Sequence, residues 1–118
     1  MVKALITIFL TTLLLVFSPL GLQSAWGSVH IPILLYHRFG PAATDSMTVT
    51  TPLFESQLNY LRDNGYKVIP LRELVDYYLG KRAAPNPHSV VITVDDGHVS
   101  VYREMFPLVR RYNIPVTL

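Results

Sequence analysis

Residues 89–97 read Ser-Val-Val-Ile-Thr-Val-Asp-Asp-Gly, an uncharged and mostly β-branched run that is followed at once by two acids and a glycine. β-Branched residues favour strands, and a continuous rather than alternating apolar run is typical of a strand buried on both faces of a parallel sheet. We therefore expect a central strand over residues 89–94 that ends at Asp95. Gly97 is expected to turn the chain.

Working outward from this strand, the sequence alternates between strand and helix patterns. Apolar runs at residues 31–36, 66–69 and 114–118 predict three further strands. The stretches between them include a polar loop over residues 41–51 and a proline-containing linker over residues 81–88. An alternation of strands and helices is typical of an α/β fold with a parallel sheet.

Three helices are predicted between these strands. Thr51 is expected to cap the first helix, with Pro52 at the first helical position, and Asn64-Gly65 is expected to end it. The third helix, over residues 101–112, is expected to be divided by Pro107. The predicted apolar face of the first helix consists of Phe54, Leu58 and Leu61. That of the second helix consists of Leu71, Leu74, Val75, Tyr78 and Leu79.

The first 27 residues have the pattern of an export signal. Lys3 precedes an apolar run over residues 4–17, and Ala25-Trp26-Gly27 places small residues two apart, as a signal peptidase requires. This pattern predicts a cleaved signal peptide over residues 1–27 and a domain over residues 28–118 in the periplasm or outside the cell. The alternative is an uncleaved membrane anchor, although a spanning helix needs about 20 apolar residues.

Composition excludes several classes of protein. The chain has 118 residues, half of them hydrophobic and 15% charged, with a net charge of +2. Such a sequence is too apolar for a disordered protein and has no basic stripe of the kind that binds nucleic acid. There is no cysteine, so the exported domain has no disulfide bonds to stabilise it.

The adjacent acids at the end of the predicted central strand are the main candidate site. Ligand sites in parallel α/β sheets form at the carboxyl ends of the strands. Asp95 and Asp96 leave the strand in different directions, so one carboxylate can bind a cation while the other stays near a water molecule on that cation. Two alternatives remain from spacing alone: a polar turn that caps the next helix, or the magnesium site of a phospho-acceptor receiver domain.

Three segments of the sequence resemble the polysaccharide deacetylases that have a NodB-homology domain. They are Pro-Ile-Leu-Leu-Tyr-His-Arg-Phe-Gly at residues 32–40, Thr-Val-Asp-Asp-Gly at residues 93–97 and Ile-Pro-Val-Thr-Leu at residues 114–118. The family's first motif is Thr-Phe-Asp-Asp-Gly, from which Val94 departs without changing the acids. The resemblance covers about residues 30–118 and is closest to the subgroup that deacetylates poly-N-acetylglucosamine.

This resemblance implies a fold, an activity and a set of roles. The fold is the N-terminal part of a distorted (β/α)7 barrel, and the activity is metal-dependent hydrolysis of N-acetyl groups on a polysaccharide. Asp95 corresponds to the general base and Asp96 to a ligand of a divalent metal, with zinc as the expected ion. Two histidines of a His-x-x-x-His motif complete the family's metal triad. In the family that motif lies downstream of the position of Leu118, so we expect residues 28–118 alone to be inactive.

The four histidines are expected to differ in role. His37 follows the first predicted strand and is expected to line the substrate cleft, whereas His98 is expected at its rim. His30 and His88 are expected on the polar surface. The competing hypothesis for the whole chain is an exported protein without catalytic activity, either a carbohydrate-binding protein or a remnant.

Overall fold

The computed structural model describes residues 29–118, so the predicted signal peptide and its boundary with the domain lie outside the described residues. Five strands and four helical segments are present in this part of the chain. In chain order they are β1 (Ile33–Tyr36), β2 (Arg38–Gly40), β3 (Thr48–Thr50), α1 (Thr51–Asp63), β4 (Lys67–Val68), α2 (Leu71–Tyr78), β5 (Ser89–Val94), a π-helix (Val101–Met105) and α3 (Phe106–Arg111). None of the described helices is long and apolar enough to cross a membrane.

The main sheet is parallel, which confirms the predicted α/β class. The order of its strands is β1-β5-β4, with β5 in the centre. Ile33 pairs with Val91 and Tyr36 with Val94, while Lys67 pairs with Ser89 on the other side of β5. The strand predicted over residues 114–118 is present only as an isolated parallel bridge between Thr117 and Thr93.

β5 is covered on both faces, as its continuous apolar run predicts. Ile92 and Val94 pack on one face and Val91 on the other. The first face contacts the larger cluster, which includes Phe39, Phe54, Leu58, Val101, Met105, Leu108 and Val109. The second face contacts Ile69 and Leu74.

The same prediction for β1 is wrong on one face. Ile33 and Leu35 are 49% and 53% exposed, whereas Leu34 and Tyr36 pack against the larger cluster. β1 is the edge strand of the described sheet, and the smaller cluster around Val91 does not extend over Leu35. An apolar run therefore predicted the strand correctly but not what covers it.

Helix α1 begins one residue earlier than predicted. The cap is Thr50, whose side-chain oxygen accepts a hydrogen bond from the Leu53 N–H at 3.3 Å, and Pro52 is at the second helical position rather than the first. Its predicted end is correct, because Asn64 follows the last helical residue and Gly65 has a φ of 73°. Phe54 and Leu58 are buried on the predicted face.

Helix α2 has a narrower buried face than its sequence predicts. Leu74 is buried and Leu71 is partly buried. Val75, Tyr78 and Leu79 are 44%, 69% and 60% exposed, so three of the five predicted core positions are wrong. The amphipathic period is present, but the smaller cluster that α2 covers holds only Ile69, Leu74 and Val91 as buried residues.

A small second sheet that the sequence did not indicate spans the predicted polar loop, with β2 directly before residues 41–51 and β3 within them. β2 and β3 pair in parallel, with Phe39 opposite Val49. Asp45 organises the loop between them: it accepts hydrogen bonds from the Thr48 hydroxyl at 2.7 Å and the Met47 N–H at 3.0 Å. The Thr48 hydrogen bond is the main reason that the pKa of Asp45 lies below its usual value.

The helical region after β5 is divided near Pro107, as predicted. The π-helix ends at Met105 and α3 begins at Phe106, so the two pieces abut. The Phe106 N–H donates to the Val101 carbonyl, which is the wider hydrogen bond of a π-helix. Asn113 then has a φ of 52°, the left-handed conformation expected for asparagine after a helix.

Candidate active site

The carboxyl ends of β1 and β5 bring the candidate residues to one edge of the sheet. Tyr36 is opposite Val94 in the register, and the Asp95 N–H donates to the Tyr36 carbonyl at 3.0 Å. His37 and Asp95 therefore lie side by side, each directly after its strand. This is the edge at which parallel α/β sheets form their sites.

A tight turn follows Asp95 and positions the second acid. Asp96 and Gly97 have φ values of 70° and 53°, so two successive residues are left-handed. Aspartate tolerates this conformation better than most residues, and glycine adopts it without a Cβ penalty. The strained position coincides with the predicted metal ligand, as is common at functional sites.

The structure brings His37 and Asp96 together. His37 Nδ1 lies 3.4 Å from Asp96 Oδ2, and the two side chains are 23% and 59% exposed. The sequence places these residues 59 positions apart, and it predicted both at the site without predicting this contact. A partly buried imidazole beside an exposed carboxylate gives a polar pair that is open to a ligand.

Asp95 differs from Asp96 in its surroundings. Its side chain is exposed and makes no hydrogen bond or ion pair with any of residues 29–118. A carboxylate without a fixed partner is free to accept a proton from a bound water molecule. The two adjacent acids therefore have different environments, as separate roles require.

The other three histidines lie away from this pair. His98 is two residues after Asp96, but its Nδ1 atom is 2.8 Å from Ser100 Oγ and accepts from the Ser100 N–H at 3.2 Å. His88 stacks on Tyr66, with ring centroids 5.1 Å apart, near the amino end of β5. His30 is exposed near the start of the described residues.

Tyr36 lies immediately before His37 and was not predicted as a site residue. Its hydroxyl donates to Gln57 Oε1 at 2.8 Å, and its ring contacts Phe54 edge to face. Burial raises the pKa of Tyr36, so the phenol stays neutral at physiological pH. Tyr36 thus anchors the end of β1 to α1 immediately before His37.

The described residues supply only part of a metal site. Within residues 29–118 there is no group of three or more His, Cys, Asp or Glu side chains placed to hold an ion. A catalytic zinc ion uses three protein ligands, whereas the His37–Asp96 contact offers two potential donors. Asp96 is suited to one ligand position because it is exposed at the edge of the site.

A hollow of about 310 Å³ adjoins His37. Leu35, Met47, Thr48 and Leu53 are among the other residues that line it, whereas Asp95 and Asp96 do not. A second hollow of about 350 Å³ lies between the end of α1 and residues 112–115, and its lining includes none of the candidate residues. Of these two hollows, the one beside His37 is therefore the one that touches a candidate residue.

Comparison with known proteins identifies the family. No family model matches the chain. A Bacillus subtilis (strain 168) protein assigned to the polysaccharide deacetylases, YxkH, is 31% identical over 88 residues, which are 75% of this chain. The poly-beta-1,6-N-acetyl-D-glucosamine N-deacetylase of Escherichia coli (strain K12) is 27% identical over 95 residues, 79% of this chain.

A solved structure agrees with these relatives. The de-N-acetylase from Aggregatibacter actinomycetemcomitans superposes with a TM-score of 0.64 at 30% identity over 73% of this chain. The described residues form part of a NodB-type polysaccharide deacetylase fold. The chain spans 30% and 14% of the lengths of the two relatives and 35% of the solved chain. Within residues 29–118, the β1 edge of the sheet and the face that carries Ile33 and Leu35 are uncovered.

Proposed function

We propose that this chain takes part in removing N-acetyl groups from a polysaccharide of N-acetylglucosamine units. The observation that carries the proposal is the placement of exposed Asp95 next to the His37–Asp96 pair at the carboxyl edge of the sheet. Relatives that act on poly-beta-1,6-N-acetyl-D-glucosamine support the substrate class. Hydrolysis adds water across the amide C–N bond and releases acetate, leaving a free amine on the sugar.

Each candidate residue has its own part in this reaction. Asp95 would accept a proton from the attacking water, because its carboxylate has no other partner in the described part of the chain. Asp96 would be one ligand of a divalent metal, and His37 would line the cleft that receives the sugar. The metal, zinc by resemblance, would polarise the acetyl carbonyl and increase the acidity of bound water.

The remaining metal ligands are not among the described residues, and their identity is part of the proposal. By resemblance they are the two histidines of a His-x-x-x-His motif, which would complete a set of three with Asp96. The left-handed turn at Asp96 and Gly97, together with the exposure of the Asp96 carboxylate, supports the part proposed for Asp96. The proposal also includes export, because residues 1–27 have the pattern of a signal peptide and the proposed substrate is an exported polymer.

Acetate release from N-acetylglucosamine oligomers tests the proposal in the full protein, by which we mean this chain together with the His-x-x-x-His motif. We expect Asp95→Asn to lower the rate by about 10²–10⁴-fold, the usual loss on removing a general base. Asp63→Asn is the matched control, because Asp63 is an exposed acid at the end of α1 whose carboxylate pairs with Arg62. An Asp95→Asn variant that hydrolyses the oligomers at the wild-type rate would contradict the role of Asp95, and an inactive wild-type protein would contradict the function.

A further inference from the structure

One buried hydroxyl joins the two chain segments that carry the candidate site. Ser100 is 9% exposed and lies at the start of the helical region after the Asp96-Gly97 turn. Its Oγ atom accepts a hydrogen bond from the Phe39 N–H at 3.0 Å, across 61 positions of sequence. Phe39 is two residues after His37, and Ser100 is four residues after Asp96. A single side chain therefore spans from the His37 segment to the Asp96 segment.

Ser100 also contacts the side chain of His98. The Ser100 N–H donates to His98 Nδ1 at 3.2 Å, and the Ser100 Oγ atom lies 2.8 Å from the same nitrogen. Because the Phe39 N–H donates to Oγ as well, the hydroxyl has partners on two sides. These contacts hold His98 Nδ1 against Ser100 at the start of the helical region.

A second side-chain contact joins the same two segments farther from the site. The Thr51 hydroxyl lies 2.7 Å from Glu104 Oε2, to which it donates, and 3.3 Å from the carbonyl oxygen of Gly40. Glu104 is in the π-helix and Gly40 ends β2. Together, the Ser100–Phe39 and Thr51–Glu104 contacts connect the end of β2 and the start of α1 to the helical region after β5.

We propose that Ser100 is a positioning residue for the deacetylase site. By fixing Phe39 to the start of the helix, it sets the distance between His37 and Asp96, and His98 acts through Ser100 by orienting its hydroxyl. The effect on turnover rests on the proposed function, whereas the effect on the geometry does not. Misplacement of catalytic groups by about 1 Å can lower a rate by about 10²-fold, so such a residue matters without touching substrate.

The test compares Ser100→Ala with Ser100→Thr and Ser89→Ala in the full protein. Ser89 is the matched control because it is 1% exposed and its hydroxyl has no hydrogen-bond partner within the described residues. We expect Ser100→Ala to speed hydrogen exchange of the Phe39 amide by about 5- to 150-fold, the effect of leaving one buried donor unpaired. Ser100→Thr, which keeps the hydroxyl, should restore slow exchange, and Ser89→Ala should not change it.

A spectroscopic measurement separates positioning from a purely structural role. In the wild-type background, Asp96→Asn should shift the NMR signals of the His37 ring, because the two side chains are in contact. In the Ser100→Ala background this shift should be largely lost, whereas it should persist with Ser89→Ala. A shift of the same size in all three backgrounds would overturn the proposal, even if Ser100→Ala lowers stability.

Two further outcomes keep this proposal distinct from the proposed function. In an active enzyme, Ser100→Ala should lower kcat by about tenfold or more with a smaller change in KM, and an unchanged kcat would overturn the positioning role. If the wild-type protein is inactive but the shift of the His37 signals still depends on Ser100, the proposed function is contradicted and the positioning role of Ser100 is retained. If Ser100→Ala does not fold, His98→Ala provides the second variant, since it removes the acceptor that orients Ser100 and should weaken the same shift.

Discussion

The side chain of Asp96 shows how one residue's backbone conformation determines what the site can do. Its left-handed φ, shared with Gly97, directs the chain so that the carboxylate meets His37. The sequence predicted both acids and a turn at Asp-Gly. It did not predict the contact with His37. The distance between the two side chains depends on the register between β1 and β5 and on a left-handed turn, which aspartate and glycine permit but do not require.

Gly97 offers a prediction about this turn. Gly97→Ala should lower the free energy of unfolding by about 1–2 kcal/mol, because an L-residue is strained at a φ of 53°. No atom lies within 4 Å of the added Cβ, so the effect comes from the backbone rather than from a clash. Urea denaturation of the full protein measures the change.

Gly65→Ala is the matched control for this variant. Gly65 has a φ of 73° and equally open surroundings, but it follows α1, away from the site. Both variants should lose similar stability, and only Gly97→Ala should also slow acetate release. Equal rates for the two variants would show that the turn does not position Asp96.

Among the elements, those with a clear period or a long apolar run were predictable. β5 has its predicted bounds, Ser89–Val94, because its β-branched run is unambiguous. β2 and β3 were missed, since strands of only three residues have no detectable period. The exposed positions of α2 show the other limit: a 3.6-residue period predicts which face is apolar, but not how much neighbouring structure covers it.

Helix α1 supplies a prediction about packing. Leu58→Ala should lower the free energy of unfolding by about 2–5 kcal/mol, because Leu58 is 3% exposed in the larger core cluster. Leu53→Ala makes the same chemical change on the same helix at a residue that is 50% exposed. It should cost about 0.5 kcal/mol or less. Similar losses in urea denaturation of the two variants would mean that the inner face of α1 is not where the structure places it.

For the molecule as a whole, the order of strand and helix patterns was enough to predict a parallel α/β sheet. The motifs that resemble the NodB-type deacetylases predicted the family, which the relatives and the solved structure support. The uncovered face of β1 could not be predicted, because an apolar run indicates burial without indicating which element provides it. In the two relatives the matched stretch is less than a third of the protein.

Metal affinity and deacetylation rate, measured together on Asp95→Asn and Asp96→Asn of the full protein, test the division of roles between the two acids. Asparagine tolerates the left-handed conformation at position 96, so neither variant adds backbone strain there. Asp96→Asn should lose zinc affinity and activity together, because an amide oxygen is a weaker ligand than a carboxylate. Asp95→Asn should keep its zinc affinity while its rate falls by about 10²–10⁴-fold. Equal loss of zinc affinity in the two variants would contradict separate roles for Asp95 and Asp96.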